Sequence, residues 1–176
     1  MSIAGKGLDE LAWFCGSRVV DAAGNPLMVF HGTLFAEFDE FDISAENAYE
    51  GGAFFSTSHA VASHFADPDV RGLDHDDEDL QPGVIPVYLS IKNPKRLGPE
   101  DVFRANNSHS FDVMRKALAK AKLEGYDGAH IVGIADGDKT ADQWVAFHPD
   151  QIRSAIAHPM PAVRHAQPRP RTRRHP

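Results

Sequence analysis

The chain has 176 residues, enough for one domain that buries its own core. An apolar share of 42% and a charged share of 24% are ordinary for a globular protein. The single cysteine, Cys15, excludes an internal disulfide and any multi-cysteine metal site, in keeping with a reducing compartment. The formal charge of -7 is unevenly spread: residues 159–176 hold five Arg (164, 169, 171, 173, 174) and no acid. Removing them from the 18 Lys and Arg leaves 13 bases against 25 acids, a charge of -12 on the remainder. Such a body repels nucleic acid, whereas the Arg/Pro-rich segment could attract it. The division expected is therefore one domain over 1–158 and a disordered tail over 159–176. The tail is read first as a solubilising remnant, with an RNA-binding or targeting arm as the alternative.

In chain order, Leu8 to Phe14 has helical apolar spacing, and Met1 to Asp9 lacks the apolar stretch of a secretory signal. No apolar run reaches 18 residues, so no membrane span is expected. Val19-Val20 and Leu27 to Phe30 flank the turn cluster Asp21 to Pro26 and predict a hairpin. Its second strand ends at His31-Gly32-Thr33, a strand-end position suited to binding. Phe35, Phe38 and Phe41 follow in a loop. Gly51-Gly52 then precede a strand at Ala53 to Ser58, and Ser58 can cap a helix over His59 to Ala66. Asp67 to Asp79, with seven acids and one Arg, reads as a solvated loop without the spacing of a calcium loop.

Val84 to Ile91 predicts a strand buried on one face, stopped by Asn93-Pro94. Phe111 to Leu123 is the clearest helix, with Ser110 as its cap and Gly125 as its stop. Tyr126 to Val132 and Gln143 to Phe147 predict two strands, and Gln151 to Ile156 a last strand or edge segment. Short strands with two or three helices give an α+β class with mostly antiparallel strands.

Phosphate loops, dinucleotide fingerprints, zinc-protease helices and nucleophile elbows are absent from the sequence. No metal site is expected from the ten histidines: His59 and His64, five apart on a helix, point to different faces. What remains is a set of strand ends: His31-Gly32-Thr33, Gly52 to Ser58, and Gln143. Their residue types suit nicotinamide and its ribose. An imidazole can hydrogen-bond a ribose hydroxyl, glycine allows backbone approach to an amide, and aromatic faces attract a flat cation. Considered singly, His31 could be a core histidine, Phe54, Phe55 and Phe65 core packing, and Ser56 and Ser58 local backbone partners. Phe55 is the one assigned to the core, Trp144 is expected on the opposite face from Gln143, and Asp142 is ranked below Gln143 for the same reason.

The order His-Gly-Thr, Gly-x-Phe-Phe-Ser-Thr-Ser with a small-residue helix, then a polar residue opening a late strand resembles the His-Tyr-Glu group of ADP-ribosyltransferases. This is the diphtheria toxin and poly(ADP-ribose) polymerase-like group, and the likeness is greatest to its short bacterial and phage domains. It extends to the turn Asp21 to Pro26, Ile85 to Pro94, Gly125 to Gly128 and Phe147 to Ser154, spanning about Val19 to Ala155. The resemblance implies a split β-sheet core, mostly antiparallel, with a few flanking helices. It implies NAD as substrate, no metal, His31 on the nicotinamide ribose, Gly32 on the carboxamide and Thr33 near the adenosine side. Phe54 would take the first aromatic position, usually Tyr, and Phe65 the stacking position. Ser56 would face the carboxamide or steady residue 143, and Gln143 stands where the group usually has its catalytic Glu. His31 and Gln143 are thus the catalytic candidates.

The activity implied is mono-ADP-ribosylation of a protein in preference to a nucleic acid. The setting implied is a toxin, effector or phage factor working in the cytoplasm of its own or a recipient cell. The alternative is an NAD- or ADP-ribose-binding module whose chemistry is altered by Gln143. A weaker third reading, an RNA 2'-phosphotransferase, would need a basic pocket. Ala141 and Gln143 do not form the Glu-x-Glu pair associated with arginine modification, so arginine is not assigned as the acceptor.

Overall fold

The computed structural model describes residues 12–38, 40–43, 52–73, 79–102, 111–136 and 139–156. The expected helix over Leu8 to Phe14 falls mostly outside them, with one helical turn at 12–14 and the exposed Cys15 in the turn that follows. The Ser110 cap and the 159–176 tail also lie outside.

Among the described residues seven strands form one mixed sheet: β1 (Met28–Thr33), β2 (Ala53–Ser56), β3 (Gly83–Leu89), β4 (Pro94–Leu97), β5 (Gly128–Asp136), β6 (Lys139–Ala146) and β7 (Ile152–Ser154). Their spatial order is β4-β5-β6-β2-β1-β3-β7, and every neighbouring pair is antiparallel except β4 with β5. The helices are α1 (His59–Phe65), α2 (Pro68–Arg71), α3 (Pro99–Val102) and α4 (Phe111–Leu123). This is the α+β class, with the mostly antiparallel core that the sequence implied. β3 ends at Leu89, short of the expected Ile91 and of the stop at Asn93-Pro94, and Pro94 itself starts β4. The acidic stretch after Asp67 is not all loop: Asp67 accepts the Asp69 N–H and starts α2, which Gly72 ends in the left-handed region at φ 64°.

Strand alternation divides the core in two. On one face Val145, Ile131, Ala129 and Phe147 pack with Met114, Leu118 and Ala121 of α4. On the other, Val29, Phe55, Trp144, Val87 and Leu89 form a second cluster with Val19 and Ile91. Helix α1 lies over β1 on the α4 side, where a Cβ on Gly32 would sit 1.8 Å from the Ala62 carbonyl oxygen. Only glycine lets this helix approach so closely.

The turns that flank the strands are fastenings. Asp127 accepts the N–H groups of Lys92 and Asn93, both at 2.8 Å, joining the β3–β4 turn to the start of β5. Gln151 is buried, its Oε1 accepting from Phe147 and His148 N–H and its Nε2 donating to the Asp127 carbonyl. One carboxylate and one amide thus satisfy the backbone of three segments that meet at the ends of the sheet.

Candidate functional site

The sheet is held across its middle by one rung. Ala155 donates its N–H to the Pro86 carbonyl at 3.0 Å, so the backbone groups of Pro86 face β7. Phe30↔Pro86 is therefore a non-hydrogen-bonded pair, and Phe30 and Gly32 turn their N–H and C=O toward β2. On β2, the Thr57 N–H reaches the Asp142 carbonyl at 3.0 Å, which leaves Phe54 and Ser56 facing β1. Phe30 and Ser56 pair, and the next rung would join Gly32 to Phe54. It does not form. The His31 ring takes its place, Nδ1 lying 2.8 Å from the Phe54 carbonyl.

A carbonyl only accepts, so Nδ1 carries the proton and donates. Burial pulls the His31 pKa below its ordinary 6.5, an effect partly offset by the bond to Phe54. The neutral imidazole then keeps Nε2 as an acceptor. Gly32 keeps a backbone donor and acceptor that no strand pairs from the β2 side among the described residues. This gap is the split in the sheet.

Across β2, Ser56 stands opposite Gln143. The bonds of Thr57 make this a non-hydrogen-bonded pair, the closer kind, at about 4.5 Å between Cα atoms. Ser56 is 4% exposed and Gln143 8% exposed. The Ser56 Oγ accepts the Ser58 N–H at 3.1 Å, and Ser58 caps α1 by accepting from Val61. The Gln143 amide has no hydrogen-bond partner among the described residues. Gln151, equally buried, contrasts with it: its amide is bonded at both ends, as buried amides normally are.

The expected residues thus fall into two groups that share β2. Ser56 and Gln143 lie on the face covered by α1 and α4, with Phe54 beside them packed on the α4 cluster. The His31 side chain belongs to the other face, its ring 5.6 Å from Phe55 and 5.1 Å from Phe41, and it reaches the first group through the gap between β1 and β2. Phe65 rides on half-buried α1. Thr33 closes a local turn, its Oγ1 accepting the Phe35 N–H at 3.1 Å. Phe55, at 1% exposure, is core.

Two features were not anticipated. Phe41, one of three loop phenylalanines, seals His31 from below. Asp142 is bonded: its Oδ2 lies 2.9 Å from His130 Nε2, and its Oδ1 accepts the Gly133 N–H at 2.9 Å at a β-bulge. His130 stacks on Trp144 at 3.9 Å with the planes 2° apart, on the face away from Gln143. Alternation along 142–144 carried that facing; the His130 partnership depends on a register that the sequence does not state.

Among the described residues no cluster of His, Cys, Asp and Glu could hold a metal ion, and no helix is long and apolar enough to cross a membrane. No curated protein is similar enough to be matched with the chain. The model of one family, ADP-ribosyltransferase in polyvalent proteins, matches residues 21–159, which include both strand groups and the fastenings around them. The interrupted rung, the His31 ring bonded to Phe54 and a Gln143 amide without a partner among the described residues are thus set in a chain that belongs to the ADP-ribosyltransferase family of polyvalent proteins.

Proposed function

We propose that the protein is an NAD-dependent mono-ADP-ribosyltransferase that modifies a protein acceptor. The observation that carries this reading is the buried Gln143 amide, which has no hydrogen-bond partner among the described residues, set beside Ser56 at the interrupted rung. Family membership supplies the reaction class, and ADP-ribosyltransferases take NAD as substrate. The Gly32 N–H and C=O match the acceptor and donor of a carboxamide. Phe54 and Phe65 offer ring faces to the nicotinamide cation. His31 Nε2 accepts from a ribose hydroxyl and fixes the sugar.

In the reaction the bond between the ribose C1' and the nicotinamide nitrogen breaks. Both electrons leave with nicotinamide, which becomes neutral, and positive charge develops on the ribose. The acceptor's lone pair then attacks C1' and its proton passes to solvent. Gln143 Oε1 accepts the ribose hydroxyl and aims a carbonyl dipole at the developing charge, where a glutamate would aim a full charge. Slower turnover than a carboxylate would sustain is the consequence. The charge of -12 outside the Arg-rich segment favours a protein acceptor over a nucleic acid. The polyvalent setting in the family's description accords with an effector or phage factor acting in its own or a recipient cytoplasm.

Gln143 also motivates a second reading, an NAD- or ADP-ribose-binding module with lost chemistry. Incubation with NAD, following nicotinamide release beside a His31→Ala control, separates the two. Release abolished by His31→Ala supports the transferase. Absence of release with NAD still raising the melting temperature supports the module. Neither release nor binding overturns both.

A further inference from the structure

Two parts of the chain have no task in the reaction above: the aromatic loop after β1 and the arginines of 159–176. Phe35 and Phe38 are 56% and 40% exposed, although Phe41 between them and the core packs on His31. Glu40, Phe41, Asp42 and Ile43 face Phe147 and Pro149 across a concave site of about 480 Å³. Phe38 meets Phe41, a ring of this wall, edge-on at 4.9 Å, so the exposed aromatic surface continues from the cavity. Here the rim is acidic, and Glu40 and Asp42 are exposed. The far wall already holds a cation, with Lys122 Nζ 4.8 Å from the centre of the Phe147 ring. Ring faces edged by carboxylates suit guanidinium groups, which combine charge pairing with stacking.

We propose that this acidic, aromatic site is the docking surface for the chain's own segment Arg169 to Arg174. Its four arginines and two further residues, Pro170 and Thr172, carry no acid and oppose a body of charge -12. The last described residue, Ile156, is seven residues past Pro149 and so within about 25 Å of the cavity wall. The 13 residues from Ile156 to Arg169 can extend to about 45 Å, so the segment reaches the site without strain. Tethering at this length gives a local concentration on the order of millimolar, at which a contact of only modest intrinsic affinity is occupied. The occupant covers a surface one ring removed from His31, and the proposal stands whether or not the protein cleaves NAD.

The test uses the full chain with a photo-crosslinking phenylalanine derivative replacing Thr172 and maps the products by mass spectrometry. Crosslinks onto 35–43 and 147–149 are expected, with a yield unchanged on tenfold dilution. Raising the salt from roughly 50 to 500 mM should cut that yield about fivefold. The pair Glu40→Lys and Asp42→Lys should cut it similarly. Because those substitutions could disturb the loop, Arg169, Arg171, Arg173 and Arg174→Ala is the second variant, and it should raise amide exchange at 35–43. Crosslinks scattered over the body overturn the proposal, as do crosslinks that fall with dilution and so report a second copy. Exchange at 35–43 that ignores the arginines overturns it as well.

Discussion

Replacing Gly32 with alanine adds a single methyl group, and its cost can be worked from the structure. The new Cβ would lie 1.8 Å from the Ala62 carbonyl oxygen, 2.7 Å from its carbon and 3.2 Å from its Cα. Ordinary contact begins at 3.4 Å, so the nearest atom is about 1.6 Å too close. These are backbone atoms of α1, and no side-chain rotation relieves them. The helix must retreat as a body from β1 and carry Phe65 with it. Overpacking of this kind costs about 1–3 kcal/mol, and a backbone clash belongs at the upper end. For a chain of this size each kcal/mol lowers the melting temperature by about 2–4 °C, so a fall of roughly 5–12 °C is expected. Thermal unfolding followed by circular dichroism measures it, and hydrogen exchange should show α1 loosened before the strands. A variant that melts within about 1 °C of the parent, with α1 equally protected, would refute the claim that glycine is required here by helix approach.

Other perturbations test the remaining fastenings and the site. Gln151→Ala strands one buried and one part-buried N–H and a part-buried carbonyl and should cost about 2–4 kcal/mol in denaturant unfolding, whereas Gln143→Met, which loses no hydrogen-bond partner among the described residues, should leave stability within about 1 kcal/mol or raise it. The same Gln143→Met should reduce nicotinamide release about 100-fold, and Gln143→Glu should increase it at least about tenfold, both read in single-turnover assays. The depressed His31 pKa makes the native state bind fewer protons than the unfolded chain below 6.5. Its contribution to stability is therefore complete above that pH and is lost as the pH falls through the lowered value; His31→Ala should flatten that part of a stability–pH profile. Asp127→Ala should free the β3–β4 turn, detected as faster exchange of the Lys92 and Asn93 amides.

Much of this arrangement could be read from local pattern. Helix α4 occupies the predicted residues 111–123 because its apolar stripe, Met114, Leu118 and Ala121, has a helical period that nothing interrupts. The facing of Phe55, Gln143 and Trp144 followed from strand alternation. Strand β4 and helix α3 were not foreseen: four-residue elements beginning at Pro94 and Pro99 have too few positions to display a period, and tertiary pairing decides them. His31 was legible as a strand-end residue, but its bond to Phe54 was not. That bond depends on one strand meeting another 23 residues away, with a ladder that fails at a single rung. Likewise nothing local distinguishes Gln143 from Gln151; only the three-dimensional census of partners separates an amide that fastens the fold from one that is left over.

The missing rung also bears on how the protein transmits force. The sheet's two halves, β4-β5-β6-β2 and β1-β3-β7, are joined by the Phe30↔Ser56 pair and by the apolar cluster beneath. A planar amide bridging the Gly32 N–H and C=O would lie where the ladder is open and act as a removable stitch. Stiffness across the seam then becomes a property of protein and ligand together. Pulling β1 away from β2 should consequently report occupancy directly, as a rupture force that steps upward when the gap is filled.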